Sequence, residues 1–427
     1  MKILVIGSGG REHTLCWAFS KSEKVTKIYC ANGNAGIAEI AECVSIKPDE
    51  ITKLADFAEK NEIDLTFVGG ETALALGIVD EFQRRDLKII GVNCQAAQLE
   101  ASKSFAKDFM ARHDIPTAKY QTTKTVKEAV EILQSGAFGD ENAPVVVKAD
   151  GLAAGKGVVV TTNRAEAIAA VNDLENIVGA EASEKIVLEE CLIGREVSLL
   201  MFADGKNFAL MPPARDHKRI GEGDTGANTG GMGVITDASL LMKEQEKRIV
   251  EKIIKPTLNG AQKEGFEFRG ILFLGLMMTE TGAKVLEYNV RFGDPETQAI
   301  LVRLETDFVE ICEAILNQTL DNLTLRWKKG SSACVVLAAK NYPNKPQTGD
   351  IITGLDTVKS PEQIVFHAGT AKNEADQFIT AGGRVLGVTA IGENLDEALQ
   401  TAYQVLGDIS FEGMQYRRDV GKTSQKK

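Results

Sequence analysis

A short apolar run, Lys2-Ile-Leu-Val-Ile-Gly7, passes without a break into Gly7-Ser8-Gly9-Gly10-Arg11-Glu12-His13, and residues 14–21 then carry a helical pattern. Strand, glycine turn and helix in that order are the phosphate-binding start of a doubly wound α/β unit. Further strands are predicted at 27–31, 65–68 and 88–92, separated by amphipathic helices at about 51–60 and 73–85. Parallel α/β architecture is therefore expected to about residue 100. The turn is not a dinucleotide fingerprint. Glu12 stands where G-x-G-x-x-G needs its last glycine, and no acid closes the second strand, where Asn32-Gly33-Asn34-Ala35-Gly36 follows instead. A dehydrogenase is disfavoured. A phosphate at the helix N-terminus, with Arg11 as its partner, and a glycine turn selected only for close packing both fit this stretch.

At 427 residues the chain exceeds one hydrophobic core and implies roughly two to four domains. A net charge of -11 argues against nucleic acid or an anionic membrane as the main partner. Anionic substrates would then need local lysines, arginines and glycine-rich loops. The seven cysteines are scattered through mostly apolar runs with no CxxC pair, as expected of reduced core residues in a cytoplasmic protein. The N-terminus enters a strand directly, without a signal-peptide pattern, and no apolar run approaches the ~20 residues of a membrane span.

Such loops recur along the chain. A helix is predicted from Leu99 through Ser102 and Lys103 to Arg112, broken at Ile115-Pro116. Residues 143–160 then read as two strands joined by a loop with Gly151, Gly155 and Gly157, and with Lys148 and Lys156 as its cations. Backbone N–H groups of such a loop can cradle phosphates. It lacks the G-x-x-x-x-G-K-[ST] order and no helix follows it, so it is not a Walker loop. Residues 186–198 read as a strand, the acidic pair Glu189 and Glu190, a turn that includes Leu192, and another strand that carries Glu196. The polar run from Asp216-His217-Lys218-Arg219 to Asn228-Thr229-Gly230-Gly231 is too long for a simple turn and suits a substrate loop. His217 within it is expected to be a structural hydrogen-bonder.

The densest chemistry lies at 284–298. A strand Lys284-Val-Leu-Glu287-Tyr-Asn289 places Glu287 and Asn289 on one face by its two-residue period. A carboxylate beside an amide oxygen is a hard, oxygen-only pair suited to Mg²⁺ bridged to phosphates. Arg291, two residues on, offers a planar fork for a carboxylate or phosphate. A strand-end turn with a structural ion pair would also produce this stretch. Beyond Asp307 a helix and linker lead to a β-rich tail, with strands at 333–340, 363–369 and 384–391 and a helix at 396–406 stopped by Gly407. Residues 422–427 are expected to be disordered.

Taken together, GSGGREH at 7–13, GNAG at 33–36, KADGLAAGKG at 148–157, DHKR at 216–219, NTGGMG at 228–233, EYNVRFGDPETQ at 287–298, FHAGT at 366–370 and GGRVL at 382–386 make the chain resemble the phosphoribosylamine–glycine ligases (glycinamide ribonucleotide synthetases) of the ATP-grasp superfamily. The resemblance spans almost the whole length. It implies an α/β and α+β multidomain fold: a doubly wound pre-ATP-grasp domain at 1–101, a two-lobed ATP-grasp region at 102–328 with a mobile lobe at about 120–192, and a small β-rich C-terminal domain at 329–427. It implies that Lys103 and Lys148 contact the ATP phosphates, under a lid at 149–157 that includes Gly155, Lys156 and Gly157. The segment of Glu189, Glu190 and Leu192 becomes the adenine hinge, Glu196 lies near the ribose, and Glu287 with Asn289 holds Mg²⁺ or Mn²⁺. Arg291, catalytic with Lys148, joins Gly293, Asp216, Lys218, Asn228, Thr229 and Gly230 around glycine and the phosphoribosyl group. Gly9, Gly10, Arg11 and Asn34 add phosphate contacts.

The implied reaction makes glycyl phosphate from glycine and ATP. The nitrogen of 5-phosphoribosylamine then displaces phosphate to give glycinamide ribonucleotide, a step of de novo purine biosynthesis. A carboxylate is a poor acyl donor until phosphorylated, and bringing two anions together requires neutralised charge, so the cations and glycine loops suit the chemistry. Small-molecule substrates and a monomer or small homo-oligomer are implied. Three positions depart from the family pattern: Gly70 for proline in Gly-Pro-Glu, Ala227 for proline before Asn228, and Arg215 for glutamine before Asp216. Another ATP-grasp ligase or carboxylase, or a non-catalytic nucleotide sensor, are the competing readings.

Overall fold

The apolar run at the N-terminus is a central strand. In the computed structural model, which describes residues 1–151, 157–179, 183, 185–357, 360 and 362–422, Lys2–Gly7 lies in the middle of a five-stranded sheet. The order is Glu42–Val44, Lys27–Asn32, Lys2–Gly7, Leu65–Val68, Ile89–Ile90, and the pairs are parallel. Ile3, Leu4, Val5 and Ile6 are all buried, as required of a strand covered on both faces, so the run is continuous where a half-buried strand would alternate. The next strand in sequence pairs on one side of this strand and Leu65–Val68 on the other. Gly7 thus sits at the switch point where open α/β sheets place their ligands.

Two predicted helices divide. The helix expected at 73–85 is Glu71–Ala75 and Ile78–Arg84, separated by Gly77 at φ 81°. The helix expected to run through Ser102 is Cys94–Ala101 followed by Lys103–Arg112. Ser102 is extended, and its hydroxyl accepts the Phe105 N–H at 3.1 Å, so it caps a new helix.

A four-stranded antiparallel sheet, ordered Tyr120–Thr123, Ile186–Glu190, Val145–Ala149, Val158–Val160, has its own core around Val147, Leu188, Ala129 and Val171. The largest sheet begins with Gly282–Asn289, Arg269–Thr279 and Arg195–Asp204. It continues through Ala214–Asp216 and Gly233–Thr236 into Ser331–Ala338, Arg384–Gly392 and Gln363–His367. The C-terminal strands therefore extend the central sheet, with Ser332 paired to Thr236 and Val335 to Gly233. Helix Leu395–Asp408 runs through Gly407, which was expected to stop it. A built Cβ at Gly407 meets nothing within 4 Å, and the chain leaves the helix at Ile409 instead. Among the described residues no helix is long and apolar enough to cross a membrane.

Candidate active site

The strand Gly282–Asn289 is the axis of the site. Val285 and Tyr288 are both buried although three residues apart, because pairing with the neighbouring strand slips between Gly275 and Leu276. Beyond the slip Glu287 pairs with Gly275 and Asn289 with Phe273, so their side chains share the face opposite Tyr288, the arrangement expected from the sequence. Across that face Lys218 stands 3.5 Å from both Glu287 and Glu196. Glu196, then Glu287, hold the Lys218 ammonium above the usual lysine range. Lys218 in turn holds the Glu287 carboxyl below its usual range against the opposing effect of burial.

Behind the strand, three buried charges line up. Lys148 Nζ lies 2.7 Å from Glu189 Oε1 and donates to the Leu286 carbonyl at 3.2 Å. Lys107 Nζ lies 2.8 Å from Glu189 Oε2. Burial brings Lys107 down to about 8 despite that carboxylate. Lys103 donates to the Gly151 carbonyl at 3.1 Å, and Asp150 ties the start of the loop to the Ser104 N–H at 2.6 Å. Gly157 closes the loop through its carbonyl, 2.8 Å from the Ala149 N–H. Gly155 and Lys156, and with them most of the expected lid, lie outside the described residues. Glu190 accepts from the Lys119 N–H and from Lys284, and Leu192 is half-buried at the strand end.

Arg291 is placed by its neighbours. Val290 and Phe292 are buried, and the Phe292 ring lies 6.0 Å from both Phe67 and Phe202, so Arg291 between them points the other way. Its guanidinium lies 2.6 Å from Glu100 and 3.2 Å from Glu71 and donates to the Phe292 carbonyl. Burial alone would raise the Glu71 carboxyl, but Arg291 and Arg11 outweigh it and hold it at about 2. Gly293 leaves room for Glu296, whose carboxylate oxygen is 2.3 Å from where a Cβ would stand. Ser198 donates to Glu296 at 3.2 Å, and burial raises the carboxyls of both Glu296 and Asp216.

The remaining residues join loops. Thr229 donates to the Lys218 carbonyl through both its N–H and its hydroxyl, each at 2.8 Å, and Asn228 ends the ribbon strand paired with Arg219. The Gly230 carbonyl accepts from Arg384 at 2.6 Å, and Arg384 also reaches Asp294. Asn34 donates to the Ser8 and His367 carbonyls and accepts the Ile37 N–H, which ties the first sheet to the C-terminal region. His217 contacts Gly233 and Gly421 and is a structural hydrogen-bonder, as expected.

The first glycine turn carries its own anion. Glu12, the residue that breaks the dinucleotide pattern, is buried with its carboxylate on the Gly9 N–H at 2.6 Å and on Arg11 Nε at 2.6 Å. Gly7, at φ 133°, is glycine because a Cβ would stand 2.5 Å from the Glu12 side chain. The Arg11 N–H meets Asp294 at 3.3 Å, and a Cβ on Gly10 would be 2.6 Å from Gln298. Carboxylates of the chain itself thus meet the Gly9 and Arg11 amides at the start of the helix Gly10–Ser20.

Comparison with known proteins decides the family. Residues 1–100 match the phosphoribosylglycinamide synthetase N domain, 101–297 its ATP-grasp (A) domain and 332–423 its C domain. The phosphoribosylamine–glycine ligase of Caldanaerobacter subterraneus is 46% identical, over 98% of this chain and 99% of that one. The chain belongs to the phosphoribosylamine–glycine ligase family. The Pseudomonas aeruginosa member is also 46% identical, over 99% of this chain and 97% of that one. The crystal structure of the Thermotoga maritima ligase superposes with a TM-score of 0.84 at 32% identity, covering 98% of this chain and 100% of that one. The biotin carboxylase domain of Hydrogenobacter thermophilus 2-oxoglutarate carboxylase, 17% identical with a TM-score of 0.74 over 97% of this chain and 91% of that one, shares the fold.

Within this family frame, sequence reasoning missed Lys107, Glu12, Glu100, Glu296 and Arg384 as parts of the site. One of them had a local signal. Lys107 lies four residues after Lys103 in one helix, the spacing that puts two side chains on one face. Glu12 and Glu296 also lie beside residues of their own segment, Gly9 and Gly293, whereas Glu100 and Arg384 reach the site only through contacts between distant segments.

Proposed function

We propose that the faces around Gly282–Asn289 form the active site of an ATP-dependent ligase that joins glycine to 5-phosphoribosylamine. The observation that carries the site assignment is convergence on one strand: Lys148 bonds its Leu286 carbonyl from one side, and Lys218 of the glycine-rich loop lies 3.5 Å from its Glu287 on the other. Phosphate-binding cations and a substrate loop thus meet at an oxygen-donor pair.

In this reading Lys103 and Lys148, with Gly155, Lys156 and Gly157 of the loop, hold the ATP phosphates. The segment Glu189, Glu190 and Leu192 borders the adenine, and Glu196 the ribose. The glycine carboxylate attacks the terminal phosphoryl group, giving glycyl phosphate and ADP. The amine of 5-phosphoribosylamine then attacks the acyl carbon, phosphate departs with the C–O bond electrons, and the nitrogen loses one proton to solvent, leaving glycinamide ribonucleotide. Arg291 and Lys148 neutralise charge as the two anions approach. Asp216, Lys218, Asn228, Thr229, Gly230 and Gly293 position glycine and the phosphoribosyl group, and Gly9, Gly10, Arg11 and Asn34 border its phosphate.

Glu287 and Asn289 would hold the divalent ion, Mg²⁺ or Mn²⁺. Two oxygen donors on one face fit an ion that draws its other ligands from phosphate and water, and no group of three or more His, Cys, Asp or Glu side chains forms a closed cage among the described residues. Such an ion neutralises phosphate charge when bound. The test is glycine-dependent ADP release with and without 5-phosphoribosylamine. Amine-dependent turnover with glycine is expected. Turnover with bicarbonate in place of glycine would make the chain a carboxylase, and no turnover with either would make it a nucleotide sensor.

A further inference from the structure

Lys107 has no assigned part in binding, yet its charged side chain is buried. Its side chain and that of Glu189 are each 2% exposed, and that of Lys148 is 9% exposed. The two oxygens of Glu189 are divided: Oε2 faces Lys107 at 2.8 Å and Oε1 faces Lys148 at 2.7 Å. Lys107 is also fixed from behind. It donates to Thr117 Oγ1 at 2.8 Å, and that hydroxyl donates to the Val285 carbonyl at 2.7 Å, on the strand whose Leu286 carbonyl receives Lys148. The Tyr120 ring lies 5.7 Å from the same ammonium.

We propose that Lys107 is a positioning residue for the nucleotide: by neutralising Glu189 it leaves the Lys148 ammonium with net charge to offer the ATP phosphates. The count is simple. With Lys107, the trio carries two positive charges and one negative. Without it, Glu189 and Lys148 form a closed neutral pair, and a phosphate approaching Lys148 meets an ammonium already compensated by a carboxylate. Because all three groups are out of water, screening does little to blur the difference. Glu189 gives Lys148 its direction, and Lys107 keeps that direction from cancelling the charge. The proposal rests on the assignment of Lys148 to the phosphates.

A merely structural salt bridge makes a different prediction, which calorimetric titration of the full-length protein with MgADP separates. Lys107→Met should weaken binding about tenfold, or about 1.4 kcal/mol, with a matching rise in KM for ATP and little change in KM for glycine. Glu189 borders the adenine and orients Lys148, so Glu189→Gln serves only as a background: Lys107→Met made on it should cost less than about threefold in MgADP affinity. If Lys107→Met costs about tenfold on that background as well, Lys107 does not act through Glu189 and the proposal fails. Lys107→Gln, whose amide can still meet Thr117, replaces Lys107→Met should the latter not fold. Lys148→Met separates the two levels of inference. Unchanged MgADP affinity there overturns the phosphate assignment itself, whereas weakened affinity there with none in Lys107→Met overturns only the role of Lys107.

Discussion

Arg417→Met should loosen the glycine-rich ribbon without unfolding the protein. Arg417 is 1% exposed and holds the end of the chain to the ribbon Arg219–Gly221 and Thr225–Asn228. Its guanidinium meets Asp224 at 2.7 Å, Asp419 at 2.6 and 2.8 Å, and the Arg219 carbonyl at 3.2 Å. Breaking a fully buried pair costs about 3–5 kcal/mol, but Asp224 and Asp419 are 43% and 19% exposed and can take up water once released. About 2–3 kcal/mol is therefore the expected loss. Most of it should fall on local opening, because the core clusters do not depend on Arg417. Hydrogen exchange reads this directly. The amides of Gly223, held by Asp419, of Val420, held by Tyr403, and of Gly421, held by His217, should exchange about 30- to 150-fold faster. Amides of Lys2–Gly7 should not change. Less than about a threefold change in those amides, or equal acceleration in the first sheet, would refute the reasoning. Arg215 strengthens the same strap by donating to the Gly421 carbonyl at 2.5 Å, which gives the unusual arginine at that position a structural role.

Three further outcomes are expected. Glu287→Gln should lower turnover about a hundredfold or more while the melting temperature stays near wild type, and near-normal turnover at limiting Mg²⁺ would remove Glu287 from the metal site. Arg291→Lys keeps the charge but not the fork, so KM for glycine should rise about tenfold with a smaller change for ATP; a shift in the ATP constant alone would move Arg291 to the nucleotide. Glu71, whose carboxyl is held at about 2 against an ordinary 4.5, contributes stability present above pH 4.5 and lost as pH falls through 2. Melting curves of wild type and Glu71→Gln should accordingly converge as pH falls from 5 to 2, and a constant gap would show that the Glu71 charge is not what stabilises.

How much of this was legible in the sequence depends on how far each inference had to reach along the chain. The first strand, its glycine turn and the shared face of Glu287 and Asn289 follow from short-range periods, and the structure reproduces them. The divided helix at Ser102 had a local cap signal, a serine immediately before Lys103, that a continuous apolar pattern concealed. Against the dinucleotide motif Glu12 is a missing glycine. Its positive role, an internal carboxylate on the Gly9 amide, is also local in sequence, and it follows once the vacant third-glycine position is asked what fills it.

The occupancy of the cations was not legible, and the reason is topological. In the sequence Arg291 is an open fork, because its neighbours include no residue that must bind it. Glu71 lies 220 residues away and Glu100 is almost as distant, and the two, on helices Glu71–Ala75 and Cys94–Ala101, meet Arg291 only in the folded chain. The same separation hides the Arg384 contact with Gly230, 154 residues apart, and the Arg11 contact with Phe292, 281 residues apart. A motif records which groups a segment supplies, whereas charge compensation belongs to the assembled interface. For a chain of net charge -11 this matters, because abundant carboxylates meet Lys107, Lys148, Arg291 and Arg417. At the proposed site, anionic substrates would therefore meet cations already shared with glutamate and aspartate. Their affinity is set by the charge left over after that sharing, and a count of basic residues in the motifs overstates it.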